Sequence, residues 1–87
     1  MTNLVVDIGN AAVKLAVMDG GAVVDKRVDD SASFGAGRAF LARHSGIWRS
    51  IISSVRREDD AVATLVRSLL PNAVALTRAT PLPIRNL

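Results

Sequence analysis

Two short apolar runs, Leu4 to Ile8 and Val13 to Met18, stand near the start of the chain with only Gly9-Asn10-Ala11-Ala12 between them. A short β-branched run closed by a Gly-Asn turn signal predicts a buried strand, and the second run predicts its partner. After Met18, Asp19-Gly20-Gly21 supplies residues that tolerate positive φ, as a tight hairpin turn requires, and Ala22 to Val28 predicts a third strand. The chain is therefore expected to open as three antiparallel strands.

The pattern then changes. From Ser31 to His44 there are serines able to cap, Phe34, Leu41 and several alanines, with Arg43 and His44 in a last turn and Gly46 as a stop, which predicts a helix. Gly35 and Gly37 each cost about 1 kcal/mol inside a helix, so its start is left open. Ile47 to Val55, with Trp48, Ile51, Ile52 and Val55, predicts a fourth strand in which Trp48 reads as core. A second helix follows, with Glu58, Asp59 and Asp60 in its dipole-favoured N-terminal turn and Pro71 at its end. Val62, Leu65, Val66 and Leu69 recur at helical spacing and form its expected buried face. Ala73 to Leu76 predicts a short fifth strand before a proline-rich end at Pro81 and Pro83. The order β-β-β-α-β-α-β is that of the ribonuclease H-like and actin-like ATPase half-domain, an α/β fold.

Composition narrows the class. A chain of 87 residues makes one domain, and at this length folding buries about 60 to 65% of the unfolded surface. With two Phe and one Trp among 49% apolar residues, the core must be aliphatic. There is no cysteine, which removes disulfides and thiolate zinc sites and makes the cytoplasm the expected location. Asp7 and Lys14 interrupt the longest apolar stretch, so neither a signal peptide nor a membrane span is expected. The net charge is +3, but the basic residues are dispersed. The adjacent pairs are Lys26-Arg27 and Arg56-Arg57, and the second runs straight into Glu58-Asp59-Asp60. That pattern reads as a solvated mixed surface rather than a nucleic-acid footprint, and no nucleic-acid partner is expected.

The chemistry is concentrated between Asp7 and Lys14. Gly9 permits close backbone approach, and Asn10 can donate a hydrogen bond while tolerating a left-handed turn. Asp7, ending an otherwise apolar strand, can hold Mg²⁺ through water, and the flexible ammonium of Lys14 can reach back to a phosphate. The same residues also make an ordinary hairpin with a polar turn, and spacing alone leaves both readings open. An acid at the end of a buried strand must be solvated, paired or liganded, because an isolated buried charge is costly. Other residues carry less. His44 complements a helix C-terminus, and Ser53 and Ser54 satisfy groups at a strand end. Asp29-Asp30 and Glu58-Asp59-Asp60 read as a turn and a helix start rather than metal clusters. The Pro81-x-Pro83 tail suits an extended partner-binding segment.

The stretch Asp7-Ile8-Gly9-Asn10 through Lys14 resembles the first phosphate motif of type III pantothenate kinases, the family that includes the Bvg accessory factor proteins. Ser53-Ser54-Val55, and Leu76-Thr77 followed by Thr80-Pro81-Leu82-Pro83-Ile84-Arg85-Asn86, resemble the same family in the same order. The resemblance implies an acetate and sugar kinase/Hsp70/actin-type fold that phosphorylates pantothenate with ATP, the first step of coenzyme A synthesis. It implies Mg²⁺, a monovalent cation (K⁺ or NH₄⁺) and a homodimer for the complete protein. Asp7, Ile8, Gly9, Asn10, Ala11, Ala12, Val13 and Lys14 would form the ATP site, with Asp7 nearest the metal.

Two departures follow from that comparison. Ala11 stands where the family usually has Thr or Ser, which removes one hydroxyl near the phosphates. The family also continues past the Asn86 position with a tyrosine and a Gly-x-Asp-Arg motif whose aspartate is the general base, and this sequence stops at Leu87. Residues 1–87 are thus expected to be an N-terminal phosphate-binding lobe without its second lobe, carrying no catalytic base and inactive alone. Two other readings compete with it. One is a ribonuclease H-like nuclease or resolvase fragment with Asp7 as one of several metal-binding acids. The other is a non-catalytic interaction module of the same fold, a reading Ala11 permits.

Overall fold

The computed structural model describes residues 2–44, 46–57 and 59–76, with the side chains of Trp48 and Leu76 excepted. The core role expected for Trp48, the helix-start role of Glu58 and the whole segment from Thr77 to Leu87 lie outside what is described. The elements follow the expected order: β1 (Thr2–Ile8), β2 (Val13–Asp19), β3 (Ala22–Asp29), α1 (Gly35–Arg43), β4 (Ile47–Ser54), α2 (Ala61–Leu69) and β5 (Val74–Leu76).

One five-stranded mixed sheet carries all the strands in the order β3-β2-β1-β4-β5. The meander β1-β2-β3 is antiparallel, whereas β4 runs parallel to β1 and β5 parallel to β4. Gly20 and Gly21, with φ of 60° and 86°, close the β2–β3 hairpin in the left-handed backbone region that a two-residue turn needs. The β3 edge is blunt: it carries Asp25, Lys26 and Arg27 and a register shift opposite Val17/Met18, features that discourage further strand pairing.

Both crossovers, β3-α1-β4 and β4-α2-β5, step in the same direction across the sheet, so crossovers of one hand place both helices on one face. The core follows that geometry. Leu4, Val6 and Ile8 of β1, Val13, Leu15 and Val17 of β2, and Ile52 of β4 pack with Phe34 and Phe40 from the α1 region and Val62, Ala63 and Val66 of α2. Val5, Ala16 and Met18, on the opposite face of the same strands, are also buried. Burial on both faces explains why β1 reads as a continuous apolar run rather than an alternating one.

Several details depart from the sequence reading. α1 begins at Gly35, not Ser31, and no serine caps it. Its N-cap residue is Phe34, in left-handed backbone (φ 53°, ψ 34°) without a side-chain cap bond. The cap comes from β3 instead. Buried Asp29 accepts hydrogen bonds from Gly37 N (2.7 Å), Ser31 N (2.8 Å) and Ser31 Oγ (2.6 Å), so it is more than a turn residue. β4 ends at Ser54, and Val55 is exposed. Asp60 is the N-cap of α2, accepting from Ala63 N, and no acid lies within the first turn. On the expected buried face of α2, Val62 and Val66 are buried, Leu65 is half-buried and Leu69 is exposed; Ala63 takes the remaining core position. His44 follows α1 as its C-cap residue, and its ring Nε2 lies 2.7 Å from Asp25 Oδ2 on β3.

Candidate functional site

β1 and β4 end side by side, and their chains then part. β1 turns back through Gly9-Asn10-Ala11-Ala12 into β2, while β4 climbs toward α2 on the helix-bearing face. Adjacent parallel strands whose carboxyl ends lead to different places leave a crevice, and in open α/β sheets that is where ligands bind. The window Asp7 to Lys14 lies at this point.

Within it, Ile8 pairs with Val13 as the last rung of the ladder, and Gly9 N donates to Ala12 O at 2.9 Å to close the turn. A Cβ on Gly9 would stand 3.2 Å from that same carbonyl, which accounts for glycine here. The Gly9 N–H is therefore engaged internally, and Asn10 and Ala11 form the exposed tip. Asp7 is opposite Lys14 on β2 and Ser53 on β4. These three share one row on the face away from the helices, because Ile8 and Val6 face the core. Asp7, Lys14 and Ser53 are each half-buried. The structure thus brings Asp7 and Lys14 together across one strand pair and leaves Ile8 and Val13 as buried support.

The β4–α2 connection holds the turn from the other side. Val55 N donates to Ile8 O (3.0 Å), extending the parallel pairing one residue beyond β4. Arg56 Nε donates to Gly9 O at 2.6 Å, and its Nη1 reaches Asp60 Oδ2 at 3.3 Å. Its own N–H donates to Ser54 Oγ at 3.1 Å. Asp60 also accepts from Ala63 N (3.0 Å). That backbone bond, against a smaller opposing effect of burial and with help from Arg56, holds the Asp60 carboxyl below its ordinary value. Between the turn and this connection lies a cleft of about 280 Å³ lined by Asn10, Val55, Arg56, Arg57, Asp59 and Asp60. A larger hollow, about 590 Å³, lies at the opposite end of the sheet around Ile47, Leu69 and Val74, away from the chemistry of the turn.

Sequence spacing does not mark Arg56 as a site residue: beside Arg57 and followed by acids it reads as surface charge, and the one pointer is the Ser53-Ser54-Val55 segment that precedes it. Among the described residues no three His, Cys, Asp or Glu side chains come together as a metal cage, so the carboxylate cluster of a two-metal nuclease is not seen there. Asp7 is one half-buried carboxylate beside an exposed turn, a donor compatible with Mg²⁺, which is usually held by one or two carboxylates plus phosphates and its own waters. No residue here is assigned to a monovalent cation. Among the described residues no helix is long and apolar enough to cross a membrane.

No family model matches the chain. It is similar to the type III pantothenate kinase of Phocaeicola vulgatus, with 32% identity over 85 residues, covering 98% of this chain and 35% of the relative. The chain thus spans about a third of that relative's length, and the correspondence falls on the relative's N-terminal part. The likeness supports, in coarse form, the relation to pantothenate kinases drawn from the motifs.

Proposed function

We propose that these residues form the nucleotide-phosphate-binding lobe of an ATP-dependent pantothenate kinase with a ribonuclease H-like, actin-type half-domain fold. The observation that carries the reading is the turn at the carboxyl end of β1. It has Asp7 and Lys14 in one cross-strand row, a glycine where a side chain would crowd the backbone, and an exposed Asn10-Ala11 tip beside the β4 end. The 85-residue likeness to a protein named as a type III pantothenate kinase supports the same reading, and pantothenate is proposed as the substrate on that likeness.

In this reading the N–H groups of Asn10 and Ala11 receive phosphoryl oxygens, and the Lys14 ammonium balances their charge. Asp7 holds Mg²⁺ through water, and the ion, when bound, neutralises charge on the phosphoryl group being transferred. Phosphoryl transfer depends on placing both substrates. The base that takes the pantothenate hydroxyl proton, the pantothenate contacts and the K⁺ or NH₄⁺ site belong, in this reading, to the second lobe of a complete kinase. Residues 1–87 alone are accordingly expected to bind Mg-ATP without turnover, and the whole protein to act in the cytoplasm.

Calorimetric titration with Mg-ATP tests the lobe directly. Binding that weakens about tenfold in Lys14→Ala or Asp7→Asn, as loss of one charge-assisted contact predicts, supports the assignment. A well-folded wild-type chain that takes up no Mg-ATP would falsify it. ATP-dependent pantothenate phosphorylation by the longest available form of the protein then separates a kinase from a binding module.

A further inference from the structure

Arg56 is fixed at both ends of its fork. Its side chain is 15% exposed, with Nε on the Gly9 carbonyl at 2.6 Å and Nη1 on the Asp60 carboxylate at 3.3 Å. Its backbone is held by Ser54 Oγ. A guanidinium is always charged and presents its donors in a rigid plane, so this contact is a charge-assisted hydrogen bond of defined direction.

The carbonyl it holds belongs to the peptide unit Gly9-Asn10. A trans peptide is planar, with its C=O and N–H pointing in opposite directions. Fixing the Gly9 oxygen against Arg56 therefore fixes the Asn10 N–H and aims it away from the β4–α2 connection. The same contact draws electron density toward the oxygen, which makes the Asn10 N–H a stronger donor. Gly9 N is tied to Ala12 O, so the turn is held from within as well, and Asn10 is the first exposed residue after it.

We propose that Arg56 is a positioning residue for phosphate recognition, acting through the Gly9 carbonyl to aim and polarise the Asn10 N–H toward a phosphoryl oxygen. This rests on the nucleotide reading of the turn and adds to it an arginine 47 positions away in sequence. Through Asp60, which caps α2, the same side chain also couples the turn to the first turn of that helix.

The test uses Arg56→Gln and Arg56→Lys in the intact chain, with Mg-ATP as probe and three readouts: nucleotide affinity, the Asn10 amide proton shift without nucleotide, and the urea midpoint. Arg56→Gln is expected to move the Asn10 amide upfield and to weaken Mg-ATP binding about tenfold, the scale of one lost charge-assisted hydrogen bond. Arg56→Lys, which keeps the charge and one donor, should restore part of both effects, and it carries the comparison if Arg56→Gln fails to fold. The inference is overturned if both variants bind within about twofold of wild type. It is equally overturned if affinity falls with the Asn10 amide unmoved, meaning that charge alone acts, or if the loss merely tracks the unfolded fraction. A wild-type chain that does not bind Mg-ATP removes the nucleotide reading and this inference together, whereas binding by wild type and variants alike removes only the inference.

Discussion

Gly35 and Gly37 sit two residues apart in α1, and single side chains decide their opposite fates. A Cβ built on Gly37 would overlap the ring of Phe34, which is fully buried, whereas at Gly35 the nearest atom, Ser33 Oγ, is at an ordinary 3.6 Å. Replacing a helical glycine by alanine gains up to about 1 kcal/mol from propensity. Forcing an extra carbon against a packed aromatic costs about 1–3 kcal/mol. Gly35→Ala should therefore raise the urea midpoint and Gly37→Ala should lower it. Equal shifts of the same sign would contradict this account of the Phe34–Gly37 contact. The pair also explains a feature that looks unfavourable in sequence: the glycine at 37 is the space into which the Phe34 ring fits.

The two helices are attached to the sheet in different ways. α2 uses apolar packing, and its face is narrower than its spacing suggests, since Val66 is 0% exposed but Leu69 is 41% exposed. Val66→Ala should cost about 1.5–3 kcal/mol and Leu69→Ala about 0.5 kcal/mol or less, as measured by denaturant unfolding. A large effect at Leu69 would mean that the end of α2 packs more closely than described. α1 is clasped by polar groups at both ends, Asp29 at its start and Asp25 with His44 and Arg43 at its finish. Phe40 adds a tilted contact with the His44 ring, centroids 4.7 Å apart. The strands were legible because their apolar runs and turn residues are local signals, and α2 was legible as an element, although Asp60 stands before its first turn as the N-cap rather than within it. The α1 start was not, because its cap is a carboxylate eight positions before the amide it serves. The candidate site divides in the same way. Asp7 to Lys14 is one contiguous turn that can be read from its letters, whereas Arg56 meets Gly9 only after β4 has been laid beside β1.

At the scale of the molecule, Asp29 and Asp25 of β3 join α1 to the sheet while Asp60 caps α2 and meets Arg56, and all three carboxyls are held below the ordinary value of 3.8. For Asp29, burial alone would push the carboxyl up, but bonds from the Ser31 hydroxyl and the Gly37, Ser31 and Ala36 N–H groups outweigh it. For Asp25 the hydrogen bond from His44 leads, against burial, with the Lys26 N–H and the His44 and Arg43 charges assisting. Asp60 is lowered chiefly by the Ala63 N–H. A carboxyl that is more acidic in the folded state contributes stability that is fully present above the unfolded pKa and is lost as pH falls through the folded one. In that window the unfolded chain binds more protons than the folded chain, so acid pulls toward unfolding. The urea midpoint should accordingly hold steady from about pH 7 to about pH 5 and drop steeply below about pH 4. Asp29 is 4% exposed and is the group whose replacement should matter most. Asp29→Asn keeps the shape, removes the charge and leaves donors facing an amide nitrogen, a loss of about 1–3 kcal/mol at neutral pH. Because the variant has nothing left to titrate there, its stability should also depend less on pH below 4 than that of wild type. Parallel pH profiles for the two proteins would show that Asp29 is not the anchor that acid releases, and would shift that role to the more exposed Asp25 and Asp60.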